Sequence, residues 1–135
     1  MDKTVLFIYG SLKRGHLNHH RIADQEYLGD AATDPNYRII AIGKYGGLIR
    51  DDVNGVAVKG ELWAVSQRGL LELDDFETSE GLWARFPLAV VGRDTAEAYF
   101  WTGEIPAGVL SGDEWPLKSA ELGTRNSERK GDVRN

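Results

Sequence analysis

Cysteine is absent from this 135-residue chain, and its absence excludes several kinds of site. The chain has no disulfide, no thiolate zinc or iron–sulfur site and no cysteine nucleophile. No apolar run approaches the roughly 20 residues that a membrane helix needs. The apolar stretch at residues 5–9 is also too short for the core of a signal peptide. We therefore expect a soluble, cytoplasmic protein with no membrane partner.

Basic residues are too few for a general nucleic-acid surface, because the net charge is −5 and such surfaces are basic. The 41% hydrophobic and 27% charged residues are typical of a globular chain, and the length suits one domain. From Pro116 onward apolar residues become sparse, while charged residues, Gly, Asn and Ser dominate. We predict a single domain over residues 1–115 and a flexible polar tail over residues 116–135.

Strand-type patterns outnumber helical ones. Ser66 is a suitable cap for a helix over residues 67–77, where Leu70 and Leu73 form an apolar stripe. A short helix is predicted over residues 18–24, capped by Asn18. Strands are predicted over residues 5–9, 28–31, 37–42, 56–65, 83–91 and 96–102. This order predicts an α+β fold, with a mixed, mostly antiparallel sheet that curls around one or two helices.

Glycine-containing segments mark the predicted turns. Gly43, Gly46 and Gly47 indicate a flexible, tightly turning stretch. Asn54-Gly55 is a hairpin signal ahead of the strand that begins at residue 56.

The first candidate site is Tyr9-Gly10-Ser11-Leu12, where a strand runs into a loop. Gly10 leaves the main chain open to a ligand, so successive N–H groups here can bind a carboxylate or an oxyanion. A plain turn between strand and loop explains the same residues equally well. The segment is not a Walker phosphate loop, because His16-Leu17 stands where Lys and Ser or Thr are required.

The second candidate is the acidic segment Leu73-Asp74-Asp75-Phe76-Glu77 at the end of the predicted helix. Asp74 and Glu77 are three residues apart and share a helix face. The neighbouring carboxylates and the negative helix terminus both raise a carboxyl pKa, that of Glu77 above all, toward the range useful for proton transfer. The alternative is a solvated acidic helix end, with Glu77 held in an ordinary ion pair by Arg85.

Histidines and aromatic residues give less specific signals. His16 and His20 have the spacing of metal ligands on one helix face, but exposed histidines explain them as well. Ser11 with His19 or His20 lacks the Gly-x-Ser-x-Gly elbow of a nucleophilic serine. Five aromatic residues are candidates for pocket or core: Trp63, Trp83, Tyr99, Trp101 and Trp115.

Taken in order, these segments resemble the gamma-glutamylcyclotransferase-like family over about residues 4–102. The opening is Tyr9-Gly10-Ser11-Leu12, continued by Lys13-Arg14-Gly15, and the middle is Gly60-Glu61-Leu62-Trp63 followed by a helix. The third part is Leu73-Asp74-Asp75-Phe76-Glu77 with Trp83 and Arg85 after it. The motifs are most similar to those of the branch that acts on gamma-glutamylamines. Two positions differ from the family pattern: Tyr45 precedes Gly46 instead of Pro, and Trp83 replaces Tyr.

The resemblance implies a small β-barrel-like sheet with one or two flanking helices, a gamma-glutamyl small-molecule substrate, no metal and no organic cofactor. It implies that the substrate's α-amine attacks its own γ-carbonyl, which releases 5-oxoproline and an amine. Glu77 is the expected acid/base residue. The expected substrate-binding residues are Tyr9, Gly10, Ser11, Leu12, Arg85, Trp83 and Tyr99. The alternative function is a non-catalytic module that binds a small ligand on the same fold. The sequence sets no oligomeric state.

Overall fold

The computed structural model describes residues 2–117 of the chain. Within them lie eight strands, one α-helix and one 3₁₀ turn. The strands are β1 (Lys3–Ile8), β2 (Glu26–Ala32), β3 (Tyr37–Ile42), β4 (Tyr45–Arg50), β5 (Lys59–Ser66), β6 (Trp83–Val90), β7 (Arg93–Trp101) and β8 (Ser111–Gly112). The helix α1 is Gln67–Thr78 and the 3₁₀ turn is His19–Arg21. None of the helices in this part of the chain is long and apolar enough to cross a bilayer.

One mixed sheet contains all the strands, in the order β2-β5-β1-β7-β4-β3-β8, with β6 also paired to β7. The strand β7 runs parallel to β1 and to β4 and antiparallel to β6, and the remaining pairs are antiparallel. A bridge between Thr33 and Val90 joins the end of β2 to the end of β6, so the sheet curls back on itself. The predicted α+β, mostly antiparallel, barrel-like sheet is confirmed, with one flanking α-helix.

The strand β1 is buried on both faces, which explains its unbroken apolar sequence. Phe7 packs in an inner cluster with Ile39, Leu48 and Ala98. Leu6 and Ile8 point to the opposite face and pack with Leu73 of α1 in a second cluster. The predicted cap is present, because the Ser66 side chain accepts a hydrogen bond from the Gly69 N–H at 3.1 Å. Leu73 thus packs α1 against this face of β1.

The turn predicted over Gly43, Gly46 and Gly47 is confirmed at Gly43, which lies between β3 and β4 with a φ of 59°, but it is wrong for the other two glycines. Gly46 and Gly47 lie inside β4, which pairs with β3. A Cβ atom on Gly46 would lie 2.8 Å from the Trp115 ring, and one on Gly47 would lie 2.9 Å from the Trp101 Cβ. These glycines therefore allow two tryptophans to pack closely on the strand, which is a tertiary requirement rather than a turn signal.

The hairpin predicted at Asn54-Gly55 is also wrong, because β4 and β5 are not neighbours in the sheet. The Asp51 side chain accepts hydrogen bonds from the Val53 and Asn54 N–H groups and so forms a local turn. The chain then returns to bridge Val56 with Tyr37. The turn was correctly placed, but its partner strand was not.

The predicted helix over residues 18–24 is only the 3₁₀ turn, and Asn18 provides no side-chain cap there. Of the tail predicted over residues 116–135, residues 118–135 lie outside the described part of the chain. Leu117 packs against the inner cluster together with Trp115. The domain over residues 1–115 and the tail both stay predictions.

Candidate active site

A cavity of about 250 Å³ lies between the loop that follows β1 and the end of α1. This volume is below the roughly 300–1,000 Å³ of pockets for drug-sized ligands, so it suits a small metabolite. Among the lining residues are Tyr9, Gly10, Ser11, Leu12, Glu77, Trp83 and Tyr99, all of which were predicted site residues. The predicted residue that is missing from the lining is Arg85.

The β1 loop, residues 9–14, follows β1, and hydrogen bonds to its own carbonyl groups hold it in place. The Gly10 carbonyl accepts from the Lys13 N–H at 3.1 Å, and the Ser11 carbonyl accepts from the Asn18 N–H at 2.8 Å. The Leu12 carbonyl lies 3.0 Å from His19 Nδ1. Within residues 2–117, no backbone acceptor binds the N–H groups of Gly10, Ser11 or Leu12. These donors are available to an oxygen atom of a ligand.

Glu77 lies on the last turn of α1 and is partly buried. Burial raises the pKa of Glu77 to about 7, and the positive charge of Arg21 opposes this shift. The sequence predicted the upward direction, but from neighbouring carboxylates and the helix terminus, whereas the structure gives burial as the cause. A carboxyl with this pKa exchanges protons readily at neutral pH, which suits a general acid or base.

Arg85 was predicted to bind substrate, with an ion pair to Glu77 as the alternative, but the structure pairs it with two other carboxylates. Its guanidinium donates two hydrogen bonds of 2.9 Å to Asp74 and also pairs with Glu97. The reason lies in the strand register, which sets Arg85 opposite Tyr99. The Tyr99 hydroxyl donates to the same Asp74 carboxylate at 2.7 Å. Hydrogen bonding from Arg85 holds the pKa of Asp74 below its usual range.

Tyr9 contributes the wall of its ring, while its hydroxyl is used within the protein. The hydroxyl donates to the Tyr99 carbonyl at 2.9 Å and accepts from the Leu48 N–H at 3.1 Å. Burial, and then the nearby charge of Glu77, raise the pKa of Tyr9 well above its ordinary value. Tyr9 therefore ties the end of β1 to β7 and β4 and stays protonated.

In the described part of the chain, neither alternative use of the histidines is seen. The Ser11 hydroxyl accepts a hydrogen bond from the Asn18 side chain at 2.9 Å, and His19 packs beside Trp63 with ring centroids 5.4 Å apart. Within residues 2–117, no group of three or more His, Cys, Asp or Glu residues is arranged to hold a metal ion. Ser11 is thus positioned by an amide rather than activated by an imidazole.

Several lining residues were missed by sequence reasoning. Phe76, Ser79 and Glu80 flank Glu77, so they follow from its position at the helix end. Tyr45 and Gly46 enter the lining from β4. Part of that strand was interpreted as a turn, but Tyr45-Gly46 is also one of the two positions where the sequence departs from the family pattern, and that departure was the available signal. Trp83, which was predicted, also lines the cavity, and its ring packs edge-on against Trp101 with centroids 4.8 Å apart.

Comparison with known proteins gives a consistent result. The chain is 36% identical over 80 residues to an Escherichia coli protein named gamma-glutamylcyclotransferase family protein YtfP, covering 59% of this chain and 67% of that protein. It is 36% identical over 95 residues to the human protein named gamma-glutamylaminecyclotransferase, covering 64% of this chain and 61% of that protein. A protein from Arabidopsis thaliana named putative gamma-glutamylcyclotransferase is 36% identical over 99 residues. This match covers 67% of the present chain but only 53% of the longer plant protein.

The fold comparison agrees. The crystal structure of an AIG2-like protein from Mus musculus superposes with a TM-score of 0.66 at 26% identity, covering 80% of this chain and 82% of that one. Residues 6–117 match the family described as gamma-glutamyl cyclotransferase, AIG2-like. This match includes the β1 loop, Glu77 and all the strands after β1. The chain therefore belongs to the gamma-glutamyl cyclotransferase, AIG2-like family.

Proposed function

We propose that this protein is a gamma-glutamyl cyclotransferase, which cleaves a gamma-glutamyl amide and releases 5-oxoproline and an amine. One observation carries the proposal: Glu77, with a pKa raised to about 7, shares a cavity with the free N–H groups of the β1 loop. The family of the chain supports the same activity. The reaction needs one proton carrier and one set of oxyanion donors, and this cavity contains a candidate for each.

In the proposed mechanism, the neutral α-amine nitrogen of the substrate attacks the γ-carbonyl carbon and closes a five-membered ring. The ionised Glu77 carboxylate accepts one proton from this nitrogen as the new C–N bond forms. Negative charge collects on the former carbonyl oxygen, where N–H groups of Gly10, Ser11 and Leu12 stabilise it. Protonated Glu77 gives its proton to the leaving nitrogen, the original C–N bond breaks, and Glu77 is ionised again. The atoms balance without water or a cofactor.

The attacking group belongs to the substrate, so the protein needs no nucleophile of its own. An intramolecular attack in a folded substrate gains an effective concentration of about 10⁵–10⁸ M when the geometry is right. The site must then fold and hold the glutamyl group. The cavity lining combines the β1 loop, which begins at Tyr9, with the rings of Trp83 and Tyr99, and these groups are suited to this task.

We also propose that the leaving group is an amine of the gamma-glutamylamine type. The Leu73-Asp74-Asp75-Phe76-Glu77 motif and the human relative named for that activity support this choice. The cavity lining also includes Phe76, Tyr45 and Trp83, which offer apolar surface to an alkyl chain. The substrate is accordingly a small molecule.

Product analysis by mass spectrometry tests the proposal. The purified protein is incubated with gamma-glutamylamines, gamma-glutamyl amino acids, the gamma-glutamyl-ε-lysine isopeptide and glutathione, and 5-oxoproline is measured. The wild type is expected to form it, with gamma-glutamylamines as the best substrates, and Glu77→Gln is expected to form almost none. Asp75→Asn is the matched control, since Asp75 is the exposed carboxylate two positions before Glu77 on the same helix.

Two outcomes would contradict the proposal in different ways. Normal turnover by Glu77→Gln would show that another group moves the proton. No 5-oxoproline from any substrate, together with a rise in melting temperature when gamma-glutamyl compounds are added, would identify a binding module instead.

A further inference from the structure

A buried carboxylate beneath the β1 loop has no part in the mechanism above. Glu61 is 7% exposed and is not among the residues that line the cavity. We infer that Glu61 is the positioning residue of this site, which holds the β1 loop in the conformation that binds the glutamyl group. The effect on substrate rests on the proposed function, whereas the effect on the loop is measurable without it.

Glu61 reaches the loop because of the strand register. It lies on β5 opposite Ile8, the last residue of β1. Its Oε1 accepts hydrogen bonds from the Arg14 main-chain N–H at 3.2 Å and from Trp63 Nε1 at 3.1 Å. Its Oε2 accepts from Arg14 Nε at 3.2 Å. A buried carboxylate is stable only with such donors, so the loop and Glu61 hold each other in place.

These bonds fix the β1 loop at its far end. Arg14 follows Lys13, whose N–H closes the turn onto the Gly10 carbonyl at 3.1 Å. A displacement of Arg14 therefore moves the turn that contains Ser11 and Leu12. Those residues and Gly10 provide the N–H groups expected to bind substrate. Glu61 is thus connected to the oxyanion donors through a few main-chain bonds.

A second path runs through side chains. The Trp63 indole that Glu61 orients lies 5.4 Å, between ring centroids, from His19. His19 Nδ1 lies 3.0 Å from the Leu12 carbonyl. Glu61 therefore supports the loop at Arg14 directly and at Leu12 through two packed rings.

A glutamine at position 61 has nearly the same shape but does not satisfy the same donors. With its oxygen in the Oε1 position, its NH₂ group faces Arg14 Nε, which is also a donor. With the amide reversed, the NH₂ group faces both the Arg14 N–H and Trp63 Nε1. In either orientation a buried donor is left without an acceptor, and the loop is released on at least one side.

Glu61→Gln and Asp30→Asn form a matched pair, because each removes a carboxylate that pairs with Arg14. The Asp30 side chain is 76% exposed, whereas that of Glu61 is 9% exposed. We measure kcat and KM with the best gamma-glutamyl substrate, and amide hydrogen exchange over residues 10–15 of the ligand-free protein. Glu61→Gln is expected to raise KM and to speed amide exchange at Arg14. It is also expected to lower kcat/KM by up to about 100-fold, which is the effect of misplacing a binding group by about 1 Å. Asp30→Asn is expected to change these quantities by less than about twofold.

A purely structural role would lower the melting temperature of Glu61→Gln and leave the KM of the folded protein unchanged, which would overturn the inference. The pH dependence that Glu77 imposes on kcat/KM is expected to stay the same in the variant.

If Glu61→Gln does not fold, Arg14→Met removes the hydrogen bond from the Arg14 side chain to Glu61 and keeps the one from the Arg14 main-chain N–H. It is then expected to raise KM and loop exchange to a lesser degree, and wild-type values would refute the inference. If the wild type forms no 5-oxoproline, the proposed function fails, and the exchange rates still decide the role of Glu61.

Discussion

The Glu77→Gln substitution is expected to abolish activity and, above neutral pH, to make the protein more stable. In the unfolded chain the carboxyl titrates near 4.5, whereas burial in the fold raises its pKa to about 7. Between these values the folded protein keeps a proton that the unfolded chain has lost. The stability that the neutral carboxyl provides is therefore complete below 4.5 and is lost as the pH rises through about 7.

The size of the effect follows from the same two values. The difference between 4.5 and about 7 corresponds to at most about 3 kcal/mol of unfolding free energy, since Glu77 is partly exposed. Glutamine does not titrate and has a similar shape. At about pH 8 the variant should exceed the wild type in stability by up to that amount, and by about 1 kcal/mol or less at about pH 5.

Urea denaturation of the wild type and Glu77→Gln at a series of pH values measures this difference directly. The exposed neighbour provides the control, because Asp75→Asn should give a curve parallel to that of the wild type. In the same pH range the wild-type kcat/KM should rise with pH through about 7, since the ionised carboxylate is the form that accepts the proton. If the stability curves of the wild type and Glu77→Gln are parallel, burial does not raise the pKa of Glu77 and the reasoning is refuted.

Two further substitutions test the residues that support the site. Tyr9→Phe removes the hydroxyl that binds the Leu48 N–H and the Tyr99 carbonyl, and should lower the urea-measured stability by about 1–3 kcal/mol. An unchanged midpoint would mean that water replaces the hydroxyl. Arg85→Met leaves the Asp74 carboxylate without its main partner and should cost about 1–3 kcal/mol at neutral pH. Because the folded pKa of Asp74 is depressed, this loss should shrink as the pH falls below about 3.8, and a loss independent of pH would contradict the assignment.

Local signals in the sequence were sufficient for the elements that depend on them. The apolar run at residues 5–9 predicts a strand, and in the structure β1 packs between the inner cluster and α1. Ser66 caps α1 as predicted, and Leu73 is buried against β1. In both elements the residues that decide the structure lie within one turn or one strand of each other.

The errors concern residues whose role depends on distant partners. Gly46 and Gly47 suggested a turn, but they are in β4 because Trp115 and Trp101 pack against them. Asn54-Gly55 does turn the chain, but sheet order is a property of the whole fold, and β5 pairs with β1 and β2 instead. A single sequence does not show which strand will pair with the strand that comes after a turn.

The candidate site shows the same division. The sequence motifs predicted Glu77 and the β1 loop as site residues, and in the structure both line one cavity. The partner of Arg85 was not predictable, since it depends on the register that sets Arg85 beside Tyr99. The cause of the pKa shift of Glu77 was not predictable either, because burial is a property of the folded molecule.

The position of the cavity follows from the pairing of β7 with both β1 and β4. One edge of β7 pairs with β1 near Glu97 and with β4 near Phe100, so β1 and β4 meet the same edge one after the other. The Tyr9 hydroxyl bonds to both β7 and β4 at this junction. Beyond the junction the chain leaves β1 as the β1 loop, whose N–H groups no longer have a strand to bind. A ligand site at such a change of partner is common where strands run parallel.

Helix α1 brings two carboxylates to this junction, and their surroundings separate their roles. Asp74 meets the Arg85 guanidinium and the Tyr99 hydroxyl, which hold its pKa below the usual range and keep it ionised. Glu77 lies one turn later at the cavity, where burial raises its pKa to about 7. The pKa values of these two carboxyl groups therefore shift in opposite directions. In such an arrangement the ionised group, Asp74, stabilises the structure, and the group with the raised pKa, Glu77, transfers protons. Only Glu77 of this pair changes its protonation near neutral pH, which is the property that the proposed cyclisation requires.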